Sequence, residues 1–423
     1  MNPRELLLNS FQAALAAADP LKIVPTHLPS QPKGKTLVVG AGKAAAAMAQ
    51  AVEAHWPAKA HLEGIVITRY GHGLPTRKIA VIEAGHPLPD QHGELATRAI
   101  LARVQALDTN DLLLGLFSGG GSSLLSLPMT GVSMGELKDI TRQLLLCGAS
   151  IQEINTVRKH LSALLGGRLA AACRAPIHCL IISDVTGDEP THIASGPCAP
   201  DPTTYADALA VIKHYAIRAS PHVMNILQNK SQHSEEETPK PGDPIFRKVK
   251  NCVIATAHQS LAAAERFFRT HHITPLMLGD TVTGEAREVA KVYAAMAKEI
   301  RHYGNPFKPP VALISGGETT VTAKGHGRGG RNTESLLSLA IALDGLKQVY
   351  ALACDTDGID GTEQNAGAIL TPDSLTRAHQ LGLNPNPLLN NNDAYTFFEQ
   401  LNDLLITGPT RTNVNDYRVV LIL

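Results

Sequence analysis

The chain has 423 residues, 38 Lys and Arg against 38 Asp and Glu, and 44% hydrophobic residues. That is an ordinary globular composition with room for two cores, and zero net charge lacks the basic excess that nucleic-acid binding calls for. No apolar stretch approaches a membrane span, the start of the chain reads as amphipathic rather than as a signal peptide, and the six cysteines form no Cys-x-x-Cys pair. A soluble cytoplasmic protein with reduced thiols is expected.

In chain order, apolar runs at 36–39, 64–68, 79–82, 112–117 and 177–183 predict strands, with helical patterns at 4–18, 43–54, 94–106 and 134–146. A polar, Pro-containing stretch without apolar period, 228–243, reads as a surface loop or linker. Beyond it come strands at 252–255, 274–278, 311–314, 349–354 and 417–422, and helices at 261–269, 284–302 and 335–343. Near-continuous apolar strands alternating with helices predict an α/β protein with mostly parallel sheets. The polar stretch divides it into domains 1–240 and 241–423, with a cleft expected between them.

Five segments carry chemistry. Gly40-Ala41-Gly42-Lys43-Ala44-Ala45 follows a strand and opens an Ala-rich helix. Its spacing fits the relaxed dinucleotide fingerprint, and Lys43 is placed to meet a phosphate at a helix start. Close strand–helix packing explains the same glycines. The next strand ends in Arg69 rather than the acid that holds an NAD ribose. Ser118-Gly119-Gly120-Gly121-Ser122-Ser123 ends a buried strand in a side-chain-free turn whose N–H groups could hold an anion. Val311–Ile314 runs into a second such turn, Ser315-Gly316-Gly317-Glu318.

Ser183-Asp184-Val185-Thr186-Gly187-Asp188 puts carboxylates at the end of a parallel strand, where open sheets bind ligands. Asp184 and Asp188 suit Mg2+, and Asp184 suits proton abstraction from a hydroxyl; turn and capping work is the alternative. In Gly329-Gly330-Arg331-Asn332-Thr333-Glu334, Arg331 suits bidentate anion binding, while Asn332 or Glu334 could cap the following helix. Asp355, Asp357 and Asp360 follow a buried strand, but Ile359 and Ala366 stand where an EF-hand needs ligands. His86, in Gly85-His86-Pro87, reads as part of a rigid turn. Basic groups, anion turns and carboxylates together are what phosphoryl transfer requires.

These segments, with Asn155-Thr156-Val157-Arg158-Lys159-His160 and the closing Thr407-Gly408-Pro409-Thr410-Arg411-Thr412-Asn413-Val414-Asn415-Asp416, come in an order that resembles the MOFRL-type glycerate 2-kinases over nearly the whole chain. The resemblance implies a Rossmann-like N-terminal domain, a smaller C-terminal MOFRL-type domain and an active site between them. It implies transfer of the γ-phosphate of ATP to the 2-hydroxyl of D-glycerate with a divalent cation, Mg2+. Lys43 and Arg331 then take the family's essential positions, with Asp184, Glu318 and Asp357 as cleft carboxylates. Gly40, Gly42, Ser118, Gly119, Gly120, Gly121, Ser122 and Asn332 fall in the binding segments. Arg411 departs from the family, where glycine is expected. An NAD(P)H-dependent hydroxypyruvate reductase and a non-catalytic binder of a small anionic metabolite are the competing readings. The partners expected are small molecules, with no nucleic acid or membrane, and the sequence leaves room for a homodimer.

Overall fold

The computed structural model describes residues 2–423. The chain forms two compact units, one of Pro20–Ile254 and one joining Met1–Asp19 to Ala255–Leu423. The division thus falls after Ile254 instead of after residue 240, and the amino-terminal helix belongs with the later residues. That helix, Pro3–Ala17, starts with a capping box between Asn2 and Glu5 and buries Leu6, Leu7, Phe11 and Ala14 along one face. They share a core with Leu261, Phe268 and Tyr417, and the Tyr417 hydroxyl donates to Ser10 Oγ at 2.8 Å. The polar stretch 228–243 is not a free linker either. Its Glu237 accepts from the Tyr205 N–H at 2.9 Å, and Pro239 O accepts from the Asp201 N–H at 2.9 Å.

In the Pro20–Ile254 unit, β1 (Thr36–Ala41), β2 (Leu62–Arg69), β3 (Ile79–Ala84), β4 (Leu112–Phe117), β5 (Ile177–Ile182) and β6 (Val249–Ala255) lie in the order β3-β2-β1-β4-β5-β6. The pairs β1–β2, β1–β4, β2–β3 and β4–β5 are parallel. This is the Rossmann order, and its switch point lies between β1 and β4, where ligand loops of open sheets gather. The loops that leave these two strands hold Lys43 and Ser118–Ser123. Four helices outside the sheet, Met134–Leu146, Ile151–His160, Tyr205–His214 and Pro221–Lys230, enclose a separate core around Leu144, Ile154, Tyr205 and Leu227. Sequence periodicity had pointed to only the first of them.

The other unit holds β7 (Thr274–Gly279), β8 (Val311–Ser315), β9 (Val349–Asp355), β10 (Gly367–Leu370), β11 (Leu404–Leu405) and β12 (Asp416–Ile422), in the order β11-β10-β9-β12-β8-β7. Here the expectation of a mostly parallel sheet fails. Only β7–β8 runs parallel; β12 lies antiparallel to both β8 and β9, and β10 antiparallel to β9 and β11. The continuous apolar strands reflect burial of both faces rather than strand direction. Val311 and Leu313 face a core with the helices Ala286–Tyr303 and Arg331–Leu343. Ala312 and Ile314 face the opposite core with the helices Pro3–Ala17 and Ala257–Thr270. Among the described residues no helix is long and apolar enough to cross a membrane.

Candidate active site

In the Pro20–Ile254 unit the loops after β1 and β4 are laced together. The Lys43 N–H donates to Gly119 O at 2.8 Å and the Gly42 N–H to Ile67 O at 3.1 Å, while the Ala44 N–H donates to Ser118 Oγ at 3.0 Å. Gly40 and Gly42 are glycines because of this approach: a Cβ on Gly40 would lie 2.2 Å from Leu116 O, and one on Gly42, at φ +139°, would lie 2.1 Å from Ser118 Oγ. The structure therefore gives the fingerprint glycines and Ser118 a packing role, and the N–H groups that a dinucleotide pyrophosphate would use are already engaged.

The turn beyond Ser118 is different. Among the described residues, the N–H groups of Gly119 and Gly120 have no hydrogen-bond partner, which is costly inside a protein unless a ligand or water supplies an acceptor. Gly120 has φ +82°, and a Cβ there would meet the His86 ring at 2.9 Å; one on Gly121 would meet the Ala194 Cβ at 2.5 Å. His86 Nδ1 lies 2.7 Å from Ser123 Oγ. His86, read from sequence as a turn residue, is therefore part of the wall of this loop. Ser195 Oγ donates to Asn155 Oδ1 at 2.9 Å and lies 2.8 Å from Ser122 Oγ, from which it accepts. Lys43 is half-buried beside the loop. Asp184 and Asp188 follow the end of β5, both half-buried, with Asp188 at φ +55°.

In the other unit, Arg331 opens the helix Arg331–Leu343 and meets three carboxylates. Its Nε donates to both Asp416 oxygens at 3.0 and 2.8 Å, one Nη donates to Glu318 Oε1 at 2.9 Å and the other to Asp355 Oδ2 at 2.9 Å. Burial works against the charge, but Asp416, Asp355 and Glu318 hold the guanidinium pKa well above its ordinary value. A guanidinium has five N–H donors; three are engaged, so two remain for a ligand. Asp416 is wholly buried and Glu318 is 58% exposed, which makes Glu318 the partner free to exchange for an incoming anion.

The helix start is capped from a distance. Asp360 accepts from the N–H groups of Asn332 (2.9 Å) and Thr333 (2.8 Å) and from Thr333 Oγ1 (2.8 Å). Burial raises the Asp360 pKa, and these donors pull against it. Neither Asn332 nor Glu334 caps the helix. Asn332 Nδ2 donates to Asp416 Oδ1 at 2.8 Å, and Glu334 pairs with Arg287 at 2.9 Å. Asp357 is buried and accepts from the Ile359 N–H at 2.8 Å, an Asx turn. Asp416, which the sequence reading passed over, is the hub; its signal was the spacing to Arg418, two residues on and so on the same face of β12.

Residues 6–228 match the family described as "Domain of unknown function (DUF4147)", and residues 311–416 match the "MOFRL family". The Thermotoga maritima protein named "D-glycerate 2-kinase" is 40% identical over 99% of this chain and 98% of its own length. The chain belongs to the glycerate 2-kinase family. A crystal structure of glycerate kinase from Thermotoga maritima shares the fold with a TM-score of 0.87 at 38% identity, covering 99% of both chains. An Agrobacterium vitis relative, 47% identical over 100% of this chain and 95% of its own length, carries the name "Putative hydroxypyruvate reductase". Arg411, where the resemblance implies glycine, has φ +60°, in the left-handed region that glycine enters without strain.

Proposed function

We propose that this chain is an ATP-dependent glycerate 2-kinase, converting D-glycerate to 2-phospho-D-glycerate with release of ADP. The observation that carries the reading is the three-carboxylate setting of Arg331, which fixes a permanent cation with two donors to spare. In the transfer, the 2-hydroxyl oxygen bonds to the γ-phosphorus, the bond to the β,γ-bridging oxygen breaks, and the hydroxyl proton passes to a carboxylate. Arg331 would neutralise charge on the phosphoryl group in flight, and Lys43 with the Gly119 and Gly120 N–H groups would bind nucleotide phosphate. Asp184 is the carboxylate assigned to the proton. Glu318, the exposed partner of Arg331, would give way to the incoming phosphate, and Asn332 would steady the cluster through Asp416.

Among the described residues no group of three or more His, Cys, Asp or Glu side chains is assembled for a metal. Asp184 and Asp188 offer oxygen donors alone, which suits a hard ion that keeps water and phosphate oxygens as its other ligands. Asp188, with Asp184 where it does not serve as the base, would hold Mg2+, which would shield the negative charge of the ATP phosphates.

The reductase reading fits the sheet order but not the loop. The Gly42, Lys43 and Ala44 N–H groups are spent within the fold, and β2 ends in Arg69. The test gives the purified protein D-glycerate, ATP and Mg2+ and follows ADP, with 31P NMR assigning the phosphorylated position. In parallel it receives hydroxypyruvate with NADPH or NADH. Substrate-dependent NAD(P)H oxidation without ADP formation would overturn the kinase reading. Lys43→Ala should lower turnover by orders of magnitude with the fold intact; a near-wild-type rate removes Lys43 from the phosphate site.

A further inference from the structure

The loop that leaves β5 carries Asp184 and Asp188 and runs on through residues 191–196. Ala194 at φ +51°, Ser195 at φ +56° and Gly196 at φ +58° follow one another in the left-handed region. Only the last is a glycine, so Ala194 and Ser195 are held there against their preference. Such strain persists where the surroundings over-determine it, and it gathers at sites whose geometry matters. Here the holding contacts are plain. Ser195 O accepts from the Gly166 N–H at 3.0 Å and Gly196 O from the Gly167 N–H at 2.8 Å. Lys159 Nζ, almost wholly buried, donates to Thr191 Oγ1 at 2.8 Å, and Asn155 Nδ2 donates to His192 O at 3.4 Å.

The strained segment meets the turn after β4. Ser195 is wholly buried and Asn155 nearly so. An amide oxygen only accepts, so the Ser195 hydroxyl donates to Asn155 Oδ1 at 2.9 Å and leaves its lone pairs to Ser122, 2.8 Å away. Ala194 packs alongside: a Cβ on Gly121 would lie 2.5 Å from the Ala194 Cβ and, on its other side, 2.9 Å from Ala41 O at the end of β1. The turn that carries the free Gly119 and Gly120 N–H groups is thus clamped between β1 and the 191–196 segment. Among the described residues, the Ser122–Ser195 hydrogen bond is the one polar link between turn and segment.

We propose that Ser195 is a positioning residue of the kinase. Its hydroxyl, fixed by Asn155, holds the turn after β4 so that the Gly119 and Gly120 N–H groups face the nucleotide phosphate, and it ties that turn to the loop bearing Asp184 and Asp188. The left-handed backbone at Ala194 and Ser195 is what brings the hydroxyl under the turn. The assignment rests on the kinase reading, and Ser195, being wholly buried, acts through Ser122 and not by touching a substrate.

The experiment compares Ser195→Ala, which removes the hydroxyl and keeps the strain, with Ser195→Gly, which removes both. Ser195→Ala should lower kcat/KM for ATP on the order of tenfold to a hundredfold, with the D-glycerate KM within about twofold of wild type. Ser195→Gly should unfold at a higher urea concentration than Ser195→Ala and yet be no faster. A serine that served stability alone would recover activity along with stability. Near-wild-type kinetics in Ser195→Ala, or activity that returns with stability in Ser195→Gly, overturns the proposal. In a Ser122→Ala background, Ser195→Ala should add little further loss, and an additive loss overturns the link. Should Ser195→Ala fail to fold by circular dichroism, Ser122→Ala must raise the ATP KM severalfold, and an unchanged KM overturns the assignment. Hydrogen exchange reads the link without turnover: the Gly121, Ser123 and Leu125 amides, bonded within the turn, should exchange severalfold faster in Ser195→Ala than in wild type. A wild-type protein that forms no ADP would defeat the kinase reading separately, whereas unchanged exchange rates would defeat the link itself.

Discussion

Arg331 Nε donates to both carboxylate oxygens of Asp416, at 3.0 and 2.8 Å. Arg418, on the same face of β12, bonds Asp416 from the other side, so a wholly buried carboxylate lies between two guanidinium groups. Arg331 is thus oriented by β12, the last strand in the chain, and not only by its own helix.

Asp416→Ala should leave both arginines without their shared counter-charge. The expected loss of stability is about 3–5 kcal/mol, read by urea denaturation, and turnover should fall with it. Asp416→Asn should recover part of the stability but little of the rate, because the Arg331 fork would tilt. A fully stable, fully active Asp416→Ala protein would show that Arg331 needs no such anchor.

Gly40→Ala and Gly42→Ala test whether the fingerprint glycines serve packing or nucleotide. Each Cβ would strike β4 or Ser118 at 2.2 or 2.1 Å, so a loss of roughly 1–3 kcal/mol or more is expected. Gly187→Ala is the comparison: its φ is +88° but nothing lies within 4 Å, so only the backbone term of about 1–2 kcal/mol applies. Unchanged stability in Gly42→Ala with weakened nucleotide binding would reverse the assignment.

Glu237 predicts the acid limb of stability. Burial opposes its charge, but His160 at 3.4 Å, the Tyr205 N–H and Lys240 hold its pKa down to about 2. A carboxyl depressed in the folded state contributes stability above its unfolded pKa, near 4.5, and loses that contribution as the pH falls toward 2. The stability of the Pro20–Ile254 unit should therefore decline across that window. Glu237→Gln should flatten the decline, and an unaltered slope in denaturant titrations at several pH values would exclude Glu237 as its source.

Arg411→Gly should relieve a side chain held at φ +60°. The expected gain is about 0.5–1 kcal/mol, measured by chemical denaturation, with turnover unchanged. A fall in turnover would instead make Arg411 an anion contact.

Much of the chemistry was legible in the residues. Lys43, the Ser118–Ser123 turn and Arg331 were singled out because each combines glycine with a charge or hydroxyl, the first two just after an apolar run, a local pattern with local physical meaning. Asp416 was harder: it sits in a buried strand, where a charged residue reads as an isolated exception until its partners are seen. Asp360 stood out only as one of three carboxylates after a buried strand; it caps a helix that begins at Arg331, and no spacing along the chain connects the two.

The order of apolar runs was enough, by itself, for two α/β units and for the strands that carry the site, since burial of a strand is written in its own side chains. Strand direction in the second sheet, the docking of the helix Pro3–Ala17 on the later unit, and the pairing of Arg331 with Asp416 were decided only by the tertiary structure. Each depends on which distant segment lies alongside, and that is settled by packing of complementary surfaces, not by any local preference of the chain.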